Sequence, residues 1–230
     1  MSVRLGDLLR GVKAAVFDFD GTLVDSHEVW TRVDQALFDW LGLVQPTDYV
    51  KEIAGKRPAE IAAYIIEHFQ LTDVSQESIL NCMERNHMHY FSNYVQFIEG
   101  AVEFLRYLAA KGVSIGIATA STHKIVEQFF SNHPEVRALI DSVVTSEDVV
   151  HSKPAPDVFL KCLEDLGVHP SDGIIFEDSL VGLSAATQTG CKVVCILSHP
   201  DNYTEKRELS QLQISSYSEY LYQPRTLEES

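Results

Sequence analysis

Two aspartates one residue apart, Asp18 and Asp20, follow an apolar run over residues 12–17 that is typical of a buried strand. Asp18 is placed to attack a phosphorus atom as a nucleophile. Asp20 is placed to protonate the leaving oxygen and then to deprotonate the hydrolytic water. Gly21 and Thr22 come next and allow the backbone to bend so that its N–H groups face a phosphate. The segment therefore predicts a phosphoryl-transfer site that receives an anionic substrate.

Three more polar side chains supply groups that such a site needs. Thr119 follows the apolar run 113–118, and its hydroxyl is placed to donate to a phosphoryl oxygen, as is that of Ser121. Lys153 lies just before a helix that Pro156 opens. We expect its ammonium group to pair with the nucleophile and to neutralise the phosphoryl group.

Adjacent acids, Glu177 and Asp178, follow a further run of four apolar residues. Oxygen ligands suit Mg²⁺, which takes few of its ligands from protein. We predict that Asp18, Asp20 (through its carbonyl), Glu177 and Asp178 hold one Mg²⁺. The alternative is that the acidic segment, with Ser179, only caps the next helix.

Secondary-structure patterns divide the chain into two parts. From about residue 100 onward strands alternate with helices, which predicts an α/β fold with a doubly wound parallel sheet. The intervening segment has helical spacing and no strand signal. We therefore expect an α/β core and an inserted helical cap that acts as a lid over the site, with a helix in the tail near 203–212. The predicted bounds are 1–25 and 98–230 for the core and 26–97 for the cap.

Composition excludes several classes of partner. Asp plus Glu outnumber Lys plus Arg by 33 to 18, a net charge of −15, which argues against nucleic acid and anionic membrane. No apolar run reaches the roughly 18–20 residues that a membrane span needs. Two of the four cysteines, Cys191 and Cys195, are predicted to share a strand, too far apart to bridge. We expect a cytoplasmic protein, a monomer or weak dimer, that acts on a small phosphorylated metabolite.

The motif DFDGTLVD over residues 18–25, with the polar residues above, resembles the haloacid dehalogenase-like hydrolase superfamily. Within it, the chain looks like the branch with a helical cap between the first two motifs, which includes beta-phosphoglucomutase and phosphoglycolate phosphatase. The resemblance implies a Rossmann-like sheet of strand order 5-4-1-2-3 and Mg²⁺-dependent phosphoryl transfer through phospho-Asp18. The family roles carry over onto six matching positions, namely Asp18, Asp20, Thr119, Lys153, Glu177 and Asp178.

The resemblance leaves the reaction open within the family. Members that attack carbon lack the second acid of the first motif, so Asp20 favours phosphoryl transfer. Family mutases commonly carry a lysine after the serine of the second motif, whereas Thr122 follows Ser121 here. We favour a phosphatase over a phosphosugar mutase. A non-catalytic regulator or binding protein on this fold is the alternative from another class, and the intact set of residues argues against it.

A basic turn in the predicted cap is the candidate for specificity. Lys56 and Arg57 follow Ala54-Gly55, which matches the family's specificity loop. Arg57 is placed to clamp a distal anionic group of the substrate, and Lys56 to add charge. The alternative is a basic turn that faces solvent.

Overall fold

Short apolar segments form eight strands in the part of the chain that the computed structural model describes, residues 4–198 and 202–221. They are β1 (Ala14–Phe17), β2 (Val24–Asp25), β3 (Gln96–Phe97), β4 (Ser114–Ala118), β5 (Ser142–Val144), β6 (Gly173–Glu177), β7 (Lys192–Ile196) and β8 (Leu212–Ile214). Six of them pair in parallel in the order β5-β4-β1-β6-β7-β8. Numbered within this sheet alone, the order is 3-2-1-4-5-6. The predicted α/β class is confirmed. The first five strands of the sheet, 3-2-1-4-5, stand in the expected order 5-4-1-2-3 when it is counted from the opposite edge.

The sixth strand corrects the prediction for the tail. A helix near 203–212 was expected, but the helix there ends at Glu208 and residues 212–214 add a strand to β7 at the edge of the sheet. An edge strand of three residues needs few apolar side chains, and only Ile214 of the three is buried. Such a segment carries almost no periodic signal.

Helices cover the sheet on both faces. They are α1 (Leu5–Leu8), α2 (His27–Leu41), α3 (Tyr49–Ile53), α4 (Pro58–His68), α5 (Gln76–Tyr94), α6 (Ala101–Ala110), α7 (His123–Ser131), α8 (Pro134–Arg137), α9 (Asp157–Asp165), α10 (Leu180–Thr187), α11 (Tyr203–Glu208) and α12 (Ser218–Leu221). Alternate residues of β1 point to opposite faces of the sheet. Ala15 and Phe17 pack with α6 and α7 on one face. Ala14 and Val16 pack with α9 and α10 on the other. The central strand is buried on both sides, as parallel sheets require.

The four helices α2–α5 lie between β2 and β3 in the chain. They form an apolar cluster of their own around Phe38, Tyr49 and Ile65, separate from the two clusters on the faces of the sheet. The two chain segments that lead into and out of them pair as an antiparallel ribbon, Val24 opposite Phe97 and Asp25 opposite Gln96. The expectation of no strand between 26 and 97 is therefore wrong at Gln96–Phe97. Because the ribbon has two residues a side, it gives no alternating pattern in the sequence.

Two smaller observations complete the fold. All four cysteines are buried and no disulfide bond joins any two of them, in agreement with the distance argument for Cys191 and Cys195. Within the described residues, the helices are too short or too polar to cross a membrane.

Candidate active site

The carboxyl ends of three neighbouring strands bring the predicted residues together. Phe17 of β1 pairs with Ile117 of β4 and with Phe176 of β6, so the residues that follow these strands emerge at one edge of the sheet. Asp18, Thr119 and Asp178 occupy those positions. Ligands bind at this edge in open α/β sheets.

Asp18 and Lys153 form a buried ion pair at the centre of this edge. The Nζ of Lys153 donates to Oδ1 of Asp18 at 2.6 Å and to Oε1 of Glu177 at 3.1 Å, and all three side chains are nearly inaccessible. Burial lowers the pKa of Lys153, but the two carboxylates outweigh it and raise that pKa above its usual range. The lysine is thus a positive charge held beside Asp18.

Three carboxylates lie close together at this edge of the sheet. One oxygen each from Asp18, Glu177 and Asp178 lies within 4.8 Å of the others. Burial and the nearby charges of Glu177 and Asp18 raise the pKa of Asp178 well above its usual range. An all-oxygen donor set with more negative than positive charge fits a hard divalent cation such as Mg²⁺. The acidic segment therefore does more than cap α10, whose first turn Ser179 caps through its hydroxyl.

Neighbouring groups hold Asp178 in this position. Thr22 Oγ1 donates to its Oδ1 at 3.2 Å, and Ser198 Oγ to its Oδ2 at 3.3 Å. Gly21 has a φ of +78°, and a Cβ on it would lie 2.5 Å from Oδ2 of Asp178. Glycine at this position therefore lets the loop after Asp20 approach the acid cluster. Ser198 was missed, although it follows β7 closely and the same strand-end rule points to it.

The Asp20 carboxylate faces away from this cluster. Its Oδ2 accepts from Ser121 Oγ at 2.6 Å, and its Oδ1 accepts from the indole Nε1 of Trp30 at 3.0 Å. The backbone N–H of Ser121 donates to Thr119 Oγ1 at 3.0 Å, which fixes that hydroxyl at the end of β4. Ser121, expected to bind substrate, instead donates to Asp20. Trp30, in the first turns of α2, links the inserted helices to the second acid of the motif.

The Arg57 side chain is hydrogen-bonded to a loop of the α/β core. Its Nε donates to Ser152 Oγ at 2.6 Å, and its Nη2 donates to the carbonyls of Val149 and Val150. The guanidinium therefore fastens the turn before α4 to the loop that precedes Lys153. Lys56 beside it is half-buried. Their substrate roles stay predictions.

A pocket of about 230 Å³ lies between α5 and the amino end of α7. Trp30, which donates to Asp20, and Thr122, the neighbour of Ser121, both line it.

The model of the family described as haloacid dehalogenase-like hydrolase matches residues 15–196. The chain belongs to the haloacid dehalogenase-like hydrolase family.

Curated relatives of this haloacid dehalogenase-like hydrolase are named as phosphatases. The Drosophila melanogaster protein named "Probable pseudouridine-5'-phosphatase" is 32% identical over 194 residues, 82% of this chain and 83% of the relative. The Arabidopsis thaliana protein named "(DL)-glycerol-3-phosphatase 1, mitochondrial" is 29% identical over 219 residues, 89% of this chain and 70% of the relative. The chain is accordingly a phosphoric monoester hydrolase of the family.

Solved structures agree on the fold. The crystal structure of CbbY from Rhodobacter sphaeroides in complex with phosphate superposes with a TM-score of 0.79, at 22% identity, over 90% of this chain and 96% of that one.

Proposed function

We propose that the chain is a Mg²⁺-dependent phosphatase that forms a phospho-aspartyl intermediate on Asp18. The observation that carries the proposal is the buried contact of 2.6 Å between Lys153 and Asp18 beside the acid cluster. Burial raises the pKa of Asp18, while the ammonium group of Lys153 opposes that shift and orients the carboxylate at the strand end, as a nucleophile requires. Asp18, Glu177 and Asp178, with the Asp20 carbonyl, would hold the Mg²⁺, which when bound neutralises phosphoryl charge.

The reaction divides into two transfers. In the first, an oxygen of Asp18 bonds to phosphorus while the bond to the ester oxygen breaks, and Asp20 gives that oxygen a proton. In the second, Asp20 takes a proton from water as the water oxygen bonds to phosphorus, and the acyl-phosphate bond breaks to release inorganic phosphate and Asp18. Lys153 and Thr119 stabilise the charge on the phosphoryl oxygens.

Charges around the pocket favour a monophosphate over a mutase substrate with a distal phosphate. Lys124 lines the pocket but already pairs with Glu84, and the carboxylate of Glu147 lines it as well. Arg57 is bound to the 149–152 loop. A second phosphate would therefore meet more negative than positive charge among the described lining residues. We further propose that the protein is cytoplasmic and that it is a monomer or a weak dimer.

Hydrolysis of p-nitrophenyl phosphate tests the proposal. We expect turnover with Mg²⁺, none with excess chelator, and recovery when Mg²⁺ is restored. Asp18→Asn should lower kcat by on the order of 10⁴-fold or more, because the substitution removes the nucleophile. Unchanged circular dichroism is the control for folding.

Two results would count against the proposal. Turnover by Asp18→Asn near the wild-type rate would remove Asp18 as the nucleophile. No Mg²⁺-dependent turnover with any phosphate ester, in a panel that includes nucleotides and polyol phosphates, would favour the non-catalytic alternative.

A further inference from the structure

The pocket between α5 and α7, which Trp30 connects to Asp20, contains a histidine that phosphoryl transfer does not use. His87 lies on α5 and is only 2% exposed, yet neither ring nitrogen has a hydrogen-bond partner among the described residues. Its ring stacks on Phe91 at 4.5 Å between centroids and packs against Trp30 at 4.4 Å. Buried polar groups without partners are rare and cost free energy. A ligand that bonds to this ring would recover that cost.

His87 is suited to an uncharged polar group. Burial lowers its pKa to about 3, so the imidazole is neutral near pH 7 and offers one donor and one acceptor. It therefore has no charge with which to attract a second phosphate. Lys124, on the facing side of the pocket, is already neutralised by Glu84.

The rest of the lining favours a flat ring over a polyol. Leu80, Met83 and Ile125 supply apolar walls, and the Trp30 indole supplies an aromatic surface. Hydroxyl groups of a polyol would be left without partners against these walls. Among the polar lining residues, Lys124 already pairs with Glu84, and Glu147 already accepts from the backbone N–H of His123. A planar heterocycle buries its faces there and keeps its polar edge for hydrogen bonding.

We propose that His87 and Trp30 form a recognition site for the leaving group, and that the preferred substrates are esters whose leaving group carries an uncharged heterocyclic ring with a carbonyl or N–H edge. A nucleoside monophosphate is the chemical class that fits. The inference rests on the proposed phosphatase activity and names the substrate class of the same site. The ring nitrogens are covered in this conformation, so a ligand reaches them through a shift of neighbouring side chains. Met83, with its flexible thioether chain, is the neighbour best able to move.

Three phosphate esters, compared by kcat/KM, show which kind of leaving group the pocket prefers. Uridine 5'-monophosphate carries a polar ring, phenyl phosphate carries an apolar ring, and glycerol phosphate carries a polyol. We expect the highest kcat/KM among the three for uridine 5'-monophosphate. A preference for glycerol phosphate would overturn the assignment of a ring.

His87→Leu tests the histidine itself. It should raise KM for uridine 5'-monophosphate about 10-fold, the effect of one ordinary hydrogen bond, with kcat little changed. The KM for phenyl phosphate should change much less than the KM for uridine 5'-monophosphate, because phenyl phosphate has no polar ring edge to lose a hydrogen bond. The melting temperature should not fall, because the substitution removes unpaired polar groups. His87→Gln keeps a donor and an acceptor and should retain most of the affinity. His89→Leu, an exposed position two residues along α5, is the matched control.

A binding measurement separates failure of this inference from failure of the phosphatase proposal. In the Asp18→Asn background, uridine 5'-monophosphate is titrated without turnover and Trp30 fluorescence reports its binding. We expect binding that His87→Leu weakens about 10-fold. Equal affinity with and without His87→Leu, or an equal loss on phenyl phosphate, would show that His87 only packs against its neighbours, whatever the activity assays give.

Discussion

At the scale of single residues, the second acid of the motif depends on both parts of the molecule. Asp20 accepts one hydrogen bond from Ser121 in the α/β core and one from Trp30 in α2. A general acid must be held at a fixed distance from the oxygen that it protonates. The indole therefore connects the position of the inserted helices to proton transfer.

Trp30→Phe should impair turnover in a way that depends on the leaving group. The substitution removes the donor to Asp20 Oδ1 and so loosens the proton donor. Alkyl esters need protonation of the leaving oxygen more than p-nitrophenyl phosphate does. We expect kcat for glycerol phosphate to fall about 10-fold and kcat for p-nitrophenyl phosphate to fall much less.

The control for this effect is Trp40→Phe, on the same helix with 47% of its surface exposed, which should leave both rates unchanged. An equal loss on the two esters would mean that Trp30 acts through packing alone.

Residues at strand ends were predictable, and residues positioned by helix packing were not. Asp18, Thr119 and Asp178 come together because parallel strands end at one edge, a rule that depends only on sequence order and strand pattern. Trp30 and His87 meet because α2 and α5 pack together, and no spacing in the chain records that contact. The sequence likewise shows Arg57 as part of a basic turn but does not show the loop to which it binds.

At the scale of elements, one glycine in the inserted helical segment allows its backbone to approach the α/β core closely. Gly55 has a φ of +74°, and a Cβ on it would lie 2.5 Å from Cγ1 of Val181 and 3.1 Å from the carbonyl oxygen of Lys153. The turn after α3 thus touches the segment that carries the lysine of the site. Any side chain here must push the two apart.

Gly55→Ala should lower both stability and activity, whereas Gly42→Ala should lower stability alone. Gly42, which ends α2, has a φ of +67°, and a Cβ on it would meet open space, so the two variants share backbone strain of about 1–2 kcal/mol. Only Gly55→Ala displaces the helices from Lys153. We expect its kcat/KM to fall about 10-fold or more.

Urea denaturation and steady-state kinetics on both glycine variants measure the two effects. Wild-type kinetics for Gly55→Ala would show that its contact with the core does not position the site.

At the scale of the whole molecule, a buried acid far from the candidate active site affects the free energy of unfolding. Asp34 of α2 is 4% exposed within the cluster formed by α2–α5, and Tyr49 Oη donates to its Oδ1 at 3.3 Å. Burial raises the pKa of Asp34 to about 7, against an ordinary value of 3.8. The folded protein therefore binds a proton that the unfolded chain releases between these two pH values.

The sign of the pH dependence follows from this difference. Because the folded state holds more protons, the free energy of unfolding decreases as pH rises from about 4 to about 7 and is unaffected by this group above that range. The expected loss is about 4 kcal/mol. Asp34→Asn keeps the acceptor for Tyr49 and cannot ionise, so it should abolish this part of the pH dependence and be more stable than the wild type above pH 7.

Urea denaturation from pH 4 to pH 8 provides the measurement, and the informative quantity is the difference between wild type and variant at each pH. Asp39→Asn serves as the control, since Asp39 is exposed on the same helix and accepts from Gln35 at 2.8 Å. Its difference in free energy of unfolding from the wild type should vary with pH much less than that of Asp34→Asn, because Asp39 is exposed to solvent. If the Asp34→Asn difference varies as little with pH, Asp34 is ionised in the folded protein and its burial is compensated by groups other than Tyr49.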